Sequence, residues 1–440
     1  MKKKIVMILV ICCLFIATMP TVDSGITEDK STNGWCNVNP VQQADWTFIA
    51  YLDGDNDLFE FLARELNYME MVGSTENVNI VVLLDGLSYE DTKRYYIIHD
   101  EDMRNISSEF EDLGELNMGD PDTLSDFVCW AIDNYPADNY YLTLNNHGQG
   151  WKGVCSDWTD DDYLTSEDLK TALSKIKNHL GKKLDILFFD ACMMGMLELY
   201  YPIKEFFDFG ISSEIIVSAT KEYVYKLILE DLTQNPGLNS KTIAENTAEI
   251  LYDAGKFFDV AVIDGSKLDD LVLKINLLAE ILIEKLSEYS DSIKLVGQLT
   301  PMITGISYRT EDGNYYNLWQ FDVYKFALNT KIIVNDIQIK NAADKVIQAF
   351  DSTIILTLCY YPPHIPHLRY GLSLLHMCWF DYENVPDDLP DLYLNLDFAQ
   401  DTLWDELLME FREELNYFAC SASQTTLSSN SSSSSGSISL

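Results

Sequence analysis

The hydrophobic pattern of this chain alternates between two periods. Apolar runs of about strand length are separated by segments whose apolar positions recur every three or four residues, as on one face of a helix. Strands that alternate with helices at this spacing predict an α/β fold, a mostly parallel sheet with helices on both faces. The predicted strands are Trp46–Leu52, Val78–Leu84, Arg94–His99, Tyr140–Asn145, Leu184–Asp190, Ser213–Ala219 and Val260–Ile263. The predicted helices are Leu58–Met71, Thr123–Asn134, Asp160–Leu180, Met194–Phe207, Lys221–Thr233, Ser240–Ala254 and Lys267–Glu288.

The rhythm of this pattern changes near residue 295. We therefore place one α/β domain at residues 45–294 and a C-terminal mixed α/β subdomain at residues 295–418. The subdomain is predicted to contain the helices Asn317–Leu328, Val334–Phe350 and Asp401–Leu415 and the strands Ser352–Cys359 and Tyr370–Leu375.

Both ends of the chain differ from the rest. Residues 1–25 begin with three lysines and continue with an apolar run shorter than a typical membrane span, which predicts a secretory signal peptide. Residues 26–44 are polar and predict a loose segment, and the Ser-rich residues 419–440 predict a disordered tail. We expect a secreted protein, either extracellular or associated with the cell surface.

The net charge of the chain excludes some classes of binding partner. It contains 30 Lys and Arg against 70 Asp and Glu, a formal net charge of −40. Such a surface repels nucleic acids and anionic membranes, so we expect neither as a partner. Nothing after the N-terminal run resembles a membrane span. The charge favours cationic substrates, although acidity that serves only solubility explains it equally well.

Two apolar runs end in residues suited to thiol chemistry. Leu184–Asp190 is followed closely by Cys192, and Tyr140–Asn145 by His147, each with a glycine within three residues. The two strands are separated by the length of one right-handed crossover, so their carboxyl ends are expected at the same edge of the sheet. An imidazole converts a thiol into the nucleophilic thiolate. Taken singly, Cys192 also fits a small buried residue and His147 a loop histidine.

The number of cysteines predicts at least one free thiol. Seven cysteines follow the signal segment, and in an exported protein an odd number leaves at least one unpaired. If Cys192 is that thiol, up to three disulfides remain possible. No Cys-x-x-Cys motif indicates a zinc or thioredoxin-like site.

These stretches resemble the clostripain family of cysteine peptidases, whose caspase-like fold is shared by gingipains, legumains and caspases. The resemblance extends from Phe48 to about Leu415, and the order of His-Gly and Asp-Ala-Cys is its most specific part. The matching motifs are Asn56-Asp-Leu58, Leu66-Asn67, Val72-Gly-Ser-Thr75, Asn79-Ile-Val-Val-Leu83, Asn146-His-Gly148, Gly150-Trp151, Asp190-Ala-Cys192, Met194-Gly195, Tyr370-Gly-Leu-Ser373 and Asp401-Thr-Leu-Trp-Asp405.

The resemblance implies an endopeptidase with a Cys–His dyad. Cys192 would attack the scissile carbonyl, His147 would act as general base and then acid, and the amides of Gly148 and Cys192 would form the oxyanion hole. Asp190 would lie at the base of the primary specificity pocket, where a carboxylate selects Arg or Lys, so protein or peptide substrates with basic residues are expected. Alternatively, Asp190 caps a helix that begins at Met193.

Some features depart from the family pattern or leave alternatives open. The Pro-Gly-rich loop that often lines the cleft in the family is replaced by Thr220–Val224. We expect a monomer. In addition, relatives are often activated by self-cleavage of the chain between the two dyad residues. The lysines of this interval are Lys152, Lys170, Lys175, Lys177, Lys182 and Lys183.

No cofactor is required for this chemistry, and no metal ligands are assigned. Calcium is nevertheless a candidate, because some relatives respond to it. Asp53, Asp55 and Asp57 have the spacing of the first ligands of a calcium loop, but Leu58 and Arg64 replace its Gly and Glu, so a turn with a helix cap fits better. The acids Asp157, Asp160, Asp161 and Asp162 fit a solvated charge cluster better than a calcium site, and His364 with His367 fits a loop better than a metal site.

Two other functions remain open at this point. The chain could be an exported acidic binding or surface protein on a peptidase scaffold that has lost its chemistry. It could also be a thiol hydrolase or amidase that uses the same dyad without a peptide cleft.

Overall fold

A nine-stranded sheet organises the part of the chain that the computed structural model describes, namely residues 43–88, 91–218, 223–309, 315–360, 371–376 and 391–414. Its strands are β1 (Ala44–Asp53), β2 (Val78–Asp85), β3 (Thr92–Tyr96), β4 (Phe110–Gly114), β5 (Ala137–Asn145), β8 (Leu184–Asp190), β9 (Phe207–Ser212), β10 (Asp259–Asp264) and β13 (Ile354–Cys359). They are arranged in the order β13-β10-β9-β8-β5-β1-β2-β3-β4.

The centre of this sheet is parallel, and its edges are antiparallel. Strands β2, β1, β5, β8 and β9 pair in parallel, while β3, β4, β10 and β13 pair antiparallel to their neighbours. Every residue of β2 and β8 is buried, as expected for parallel strands covered on both faces. The predicted α/β fold with a mostly parallel central sheet is therefore confirmed.

Helices cover both faces of the sheet and separate two hydrophobic cores. Along β1, Phe48, Ala50 and Leu52 pack with the core of α1, α5 and α6, while Ile49 and Tyr51 pack with the opposite core of α2, α3, α4 and α7. This alternation follows from the two-residue period of a strand. The helices of this part are α1 (Phe59–Glu70), α2 (Pro121–Asn134), α3 (Ser166–Leu180), α4 (Leu197–Ile203), α5 (Val224–Gln234), α6 (Ser240–Asp253), α7 (Leu268–Glu284) and α8 (Leu286–Leu299).

The C-terminal part adds a small sheet and further helices. Strands β11 (Met302–Arg309), β12 (Tyr315–Asp322) and β14 (Ser373–Leu375) form a three-stranded sheet. Ser373 donates its backbone N–H and its hydroxyl to the carbonyl of Gly195, so this sheet is anchored just beyond Cys192. The remaining helices are α9 (Val323–Ile333), α10 (Ile337–Thr353), α11 (Asp391–Leu394), α12 (Asp397–Asp401) and α13 (404–414).

Several predicted elements are corrected. The strand predicted at Ser213–Ala219 is wrong, because β9 ends at Ser212 and residues 213–218 form no strand. Instead, the carbonyls of Ser213 and Ile215 accept from the amides of Gly195 and Met193, which lie in the turn after Cys192. The helix predicted from Asn317 begins only at Val323, because the preceding residues pair as β12.

Two predicted helices are also shorter than expected. Residues 160–165 precede α3, and a hairpin of β6 (Val154–Asp157) and β7 (Asp162–Leu164) occupies part of this segment. Thr165 caps α3, since its side chain accepts from the amide of Asp168 and its own backbone N–H donates to the Asp168 carboxylate. Helix α4 begins at Leu197 rather than at Met194.

Some predictions lie outside the described residues. They are the signal peptide at 1–25, almost all of the segment 26–44, the pair His364 and His367, and the tail 419–440. The described residues belong to one compact unit, and β13, from the predicted subdomain, joins the central sheet. The boundary near residue 295 stays a prediction. None of the described helices is long and apolar enough to cross a membrane.

Candidate active site

Strands β5 and β8 end side by side. Their last residues, Asn145 and Asp190, are register partners, so His147 and Cys192 follow from equivalent positions at one edge of the sheet. Beyond Cys192 the chain turns sharply, because Met193 adopts a left-handed φ of 63° and donates its amide to the carbonyl of Ile215 at 2.8 Å. A non-glycine residue in this region is uncommon and is held only where its surroundings require it. Cys192 therefore lies just beyond the end of β8, in this turn.

The thiol of Cys192 is half-buried and unpaired. Its sulfur accepts from the amide of Val217 at 3.4 Å. Burial raises the pKa of the thiol, the Val217 amide and the charge of Lys256 lower it, and the charge of Asp190 raises it further; burial dominates. In this arrangement Cys192 is therefore a thiol rather than a thiolate at neutral pH, and it needs a base to react.

The ring of His147 is held by a carboxylate and not by the thiol of Cys192. Its Nε2 atom lies 2.7 Å from Oδ1 of Asp57, in the turn before α1, and the side chain of Asn146 accepts from the His147 amide. Among the described residues, no hydrogen bond joins His147 to Cys192, and Nδ1 of His147 has no partner. Both residues nevertheless line one cavity of about 120 Å³. The structure thus brings the predicted pair together, with Nδ1 as the ring nitrogen that remains for the thiol.

Gly148 lies directly against the backbone of Cys192. A Cβ atom at this position would be 2.1 Å from the carbonyl oxygen and 2.9 Å from the nitrogen of Cys192. Glycine is therefore required here by the close approach of two backbone segments. Gly148 also forms an isolated antiparallel β-bridge with Val154.

Asp190 is already paired with a cation of the chain itself. Its Oδ2 atom accepts from Nδ2 of Asn145 at 2.9 Å and lies 3.0 Å from Nζ of Lys256, while its Oδ1 atom is buried without a hydrogen-bond partner. The side chains of Asp190 and Lys256 are only 1% and 2% exposed. The ammonium group of Lys256 also lies 4.6 Å from the centre of the Phe61 ring, a cation–π contact. This ion pair lines the same cavity as Cys192 and His147.

The alternative role of Asp190 as a helix cap is wrong. Helix α4 begins at Leu197, and the residue before it, Met196, makes no side-chain capping bond. The carboxylate of Asp190 instead faces Asn145 and Lys256. Asp190 therefore lines the cavity and does not cap a helix.

Sequence reasoning missed two residues of this site. Lys256 lies in the loop before β10, and no motif of the sequence marked it. Asp57 was interpreted as a cap or as a calcium ligand, whereas its carboxylate pairs with His147. Only the three-dimensional neighbourhood of the two strand ends reveals either role.

Four free cysteines are present in the described residues: Cys129, Cys155, Cys192 and Cys359. None of these forms a disulfide, and Cys36, Cys378 and Cys420 lie outside the described residues. Cys155 is fully buried, and burial raises its pKa well above the usual value, so it fits the role of an inert core residue.

Residues that could hold a metal lie next to this site, at the ends of β1 and β2. Burial raises the pKa of Asp53 well above its ordinary range and that of Asp85 to about 7, and nearby carboxylates, including Asp157, add to both shifts. The calcium ligands considered from the sequence are therefore only partly assembled. Asp53, Asp55 and Asp157 come close together, whereas Asp57 faces His147, and Asp160 and Asp161 are exposed.

Comparisons with known proteins agree with this architecture. A model of the clostripain family matches residues 50–411. Clostripain of Hathewaya histolytica is 27% identical over 254 residues, which cover 50% of this chain and 48% of that protein. The matching part thus spans about half the length of this relative.

Two solved structures share the fold. The inactive zymogen of a C11 protease from Parabacteroides distasonis has a TM-score of 0.58 at 21% identity, covering 83% of this chain and 99% of that one. A secreted C11 cysteine protease from Bacteroides thetaiotaomicron, in complex with an irreversible peptide inhibitor, has a TM-score of 0.54 at 20% identity, covering 82% and 100%. Because the family model spans most of the sequence, the chain belongs to the clostripain family of cysteine peptidases.

Proposed function

We propose that this chain is a secreted cysteine endopeptidase that cleaves peptide bonds after Arg or Lys. The observation that carries the proposal is the cavity shared by a free thiol, an imidazole and a buried carboxylate, namely Cys192, His147 and Asp190. Membership of the clostripain family supports the reaction class.

In the proposed reaction, His147 takes the thiol proton, and the thiolate of Cys192 attacks the scissile carbonyl carbon. The imidazolium then protonates the leaving amine, and a water molecule activated by the neutral imidazole hydrolyses the thioester. In the resting arrangement the thiol instead faces the Val217 amide. The side chain of Cys192 or of His147 must therefore rotate before the attack. Hydrogen bonds between catalytic residues commonly become short only once a substrate is bound.

The oxyanion of the tetrahedral intermediate would be stabilised by the amides of Gly148 and Cys192. The close contact of the two backbone segments supports this assignment, since a Cβ atom on Gly148 would lie only 2.9 Å from the nitrogen of Cys192. Donors that are fixed before the reaction stabilise developing charge without reorganisation.

Specificity would depend on the free oxygen of Asp190. Because Lys256 and Asn145 occupy Oδ2, an incoming Arg or Lys side chain would bind Oδ1, which lacks a partner. The carboxylate would then be shared between two cations. We therefore expect a basic preference that is weaker than an unpaired aspartate would give.

A panel of short peptides with Arg, Lys, Leu or Asp before the cleavage site tests the proposal. The wild-type chain should cleave the Arg and Lys peptides best. Asp190→Asn should reduce this preference by about tenfold or more, equivalent to about 1.4 kcal/mol, because the amide cannot pair with a cation. The matched control is Asp185→Asn, at the opposite end of β8, where the carboxylate pairs with Lys182. An unchanged preference in Asp190→Asn, or the same loss in the control, would show that the pocket acid lies elsewhere.

Gly148→Ala is expected to lower kcat/KM by about 100-fold or more, because a displacement of about 1 Å at a reacting centre has effects of this size. The added methyl group would be forced against the carbonyl oxygen of Cys192. The control is Gly237→Ala, where a Cβ meets nothing within 4 Å. Peptide cleavage and thermal unfolding are measured on both variants. A folded Gly148→Ala enzyme with normal activity would contradict the proposed oxyanion hole.

One observation favours a second candidate function, a binding or surface protein on a peptidase scaffold that has lost its catalytic activity. The dyad residues are not hydrogen-bonded to each other, and the pocket acid is already neutralised by Lys256. A protein that has lost peptidase activity would show the same features. Labelling of Cys192 with a basic affinity probe separates the two functions.

A further inference from the structure

The imidazole of His147 is paired with a carboxylate from a distant part of the sequence. Oδ1 of Asp57, in the turn before α1, lies 2.7 Å from Nε2 of His147. A carboxylate only accepts hydrogen bonds, so this contact requires a proton on Nε2. Because a neutral imidazole carries a single ring proton, Nδ1 is then left as an acceptor.

The loops that carry Asp57 and His147 are fixed against each other. Each of these residues follows a buried asparagine, Asn56 or Asn146. Nδ2 of Asn56 donates to the backbone carbonyl of Ser156 at 2.8 Å. The backbone amide of Ser156, in turn, donates to Oδ1 of Asn146 at 3.0 Å. Buried contacts through β6 therefore hold the two backbones in place, independently of the pair that they present.

The pair itself lies at the surface, and its role is geometric. The side chain of Asp57 is 63% exposed and that of His147 is 41% exposed. Exposed pairs of this kind contribute little to the stability of a fold. The hydrogen bond of one ring nitrogen nevertheless decides which of the two nitrogens carries the proton. Asp57 thus decides which atom of His147 can take a proton from another group.

We propose that Asp57 is a positioning residue for the general base. It keeps the proton of the neutral ring on Nε2, so that Nδ1 accepts the proton of the Cys192 thiol, and its charge stabilises the imidazolium that forms. Rotation of the His147 side chain would break the contact with Asp57, so the side chain of Cys192 is the one that turns before the attack. The role in catalysis rests on the proposed function, whereas the tautomer of His147 does not.

Nitrogen-15 NMR of the full chain with labelled histidine tests the tautomer, and the signals of His147 are those missing from His147→Gln. At alkaline pH, where the ring is neutral, the wild-type proton should reside on Nε2. In Asp57→Asn the proton should be shared between the two nitrogens, because an amide donates as well as accepts. The thermal unfolding midpoint should stay that of the wild type, since the pair is exposed.

Peptide cleavage by the same variant tests the role in catalysis. Asp57→Asn should lower kcat by about tenfold or more, part of the factor of about 10²–10⁴ that a general base supplies. KM should change by less than about twofold, because the contact acts on the reaction and not on substrate binding. Asp57→Glu keeps a carboxylate and should restore both the Nε2 tautomer and part of the lost kcat.

The matched control is Asp133→Asn. Oδ1 of Asp133 lies 2.8 Å from Nε2 of His179, and the two side chains are 62% and 37% exposed, as in the pair of the candidate site. Because this second pair joins α2 to α3 and does not line the cavity, its loss should leave kcat unchanged.

A wild-type ring that carries its proton on Nδ1 would overturn the proposal. Wild-type kcat in Asp57→Asn would overturn it as well, and an equal loss in Asp133→Asn would reduce the effect to a change of surface charge. Because the tautomer is read without substrate, a failure of this assignment is distinct from a failure of the proposed peptidase activity.

Discussion

Cys192→Ala is expected to lower kcat/KM for a peptide with Arg before the cleavage site by about 10⁴-fold or more, since loss of a nucleophile removes covalent catalysis altogether. The remaining activity would come from substrate binding and the proposed oxyanion hole. The fold should tolerate the change, because the thiol makes a single weak hydrogen bond, with Val217. Peptide cleavage and circular dichroism on the same preparation measure both effects.

The matched control is Cys129→Ala. Cys129 is also free and half-buried, but it lies on α2 and does not line the cavity. Its replacement should leave kcat/KM within about twofold of the wild type, as is usual for substitutions away from the reacting groups. If Cys192→Ala keeps normal activity, Cys192 is not the nucleophile.

Lys256→Met is expected to lower the free energy of unfolding by about 3 kcal/mol or more, because it leaves the carboxylate of Asp190 buried without its cation. At temperatures where the variant remains folded, its preference for Arg and Lys over neutral residues should increase. The reason is that an incoming cation would no longer share Asp190 with Lys256. Chemical denaturation and the peptide panel measure the two effects.

Two further variants distinguish the effect of breaking the ion pair of Lys256 and Asp190 from the effect of losing a lysine side chain. The double variant Lys256→Met with Asp190→Asn removes both charges and should recover most of the lost stability, while its basic preference should be absent. Lys182→Met breaks a pair with Asp185 in which the lysine is 42% exposed, and it should cost less than about 1 kcal/mol. A stable Lys256→Met chain with unchanged specificity would show that Lys256 does not influence the pocket.

The sheet could be predicted because its central strands are buried on both faces. Such strands are continuous apolar runs, and β1, β2, β5 and β8 were all located to within a few residues. The segment after β9 could not be predicted, because its apolar residues resemble a strand. Its backbone hydrogen bonds go instead to the turn after Cys192, and this turn depends on contacts far apart in sequence.

The residues of the candidate site likewise fall into those that the sequence predicts and those that it does not. His147 and Cys192 were recognisable because each follows a strand of the parallel sheet, and the parallel register places both at one edge. Lys256 could not be recognised, since a lysine in the loop before β10 has no sequence signature. The buried acids Asp53, Asp55 and Asp157 were divided between two separate runs of acids in the sequence, and the buried Asp85 belonged to neither run. The parallel register of β1 and β2 places Asp53 and Asp85 side by side.

The central claim is that Cys192 is a nucleophile in a pocket that accepts a basic side chain. Its most direct test is intact-mass analysis, followed by peptide mapping, after treatment with a chloromethyl ketone probe that carries Lys or Arg. We expect one probe per chain, attached to Cys192, with labelling lost in Cys192→Ala, retained in Cys129→Ala, and slower for a probe that carries Asp. A folded wild-type chain that remains unlabelled at Cys192 would contradict this claim.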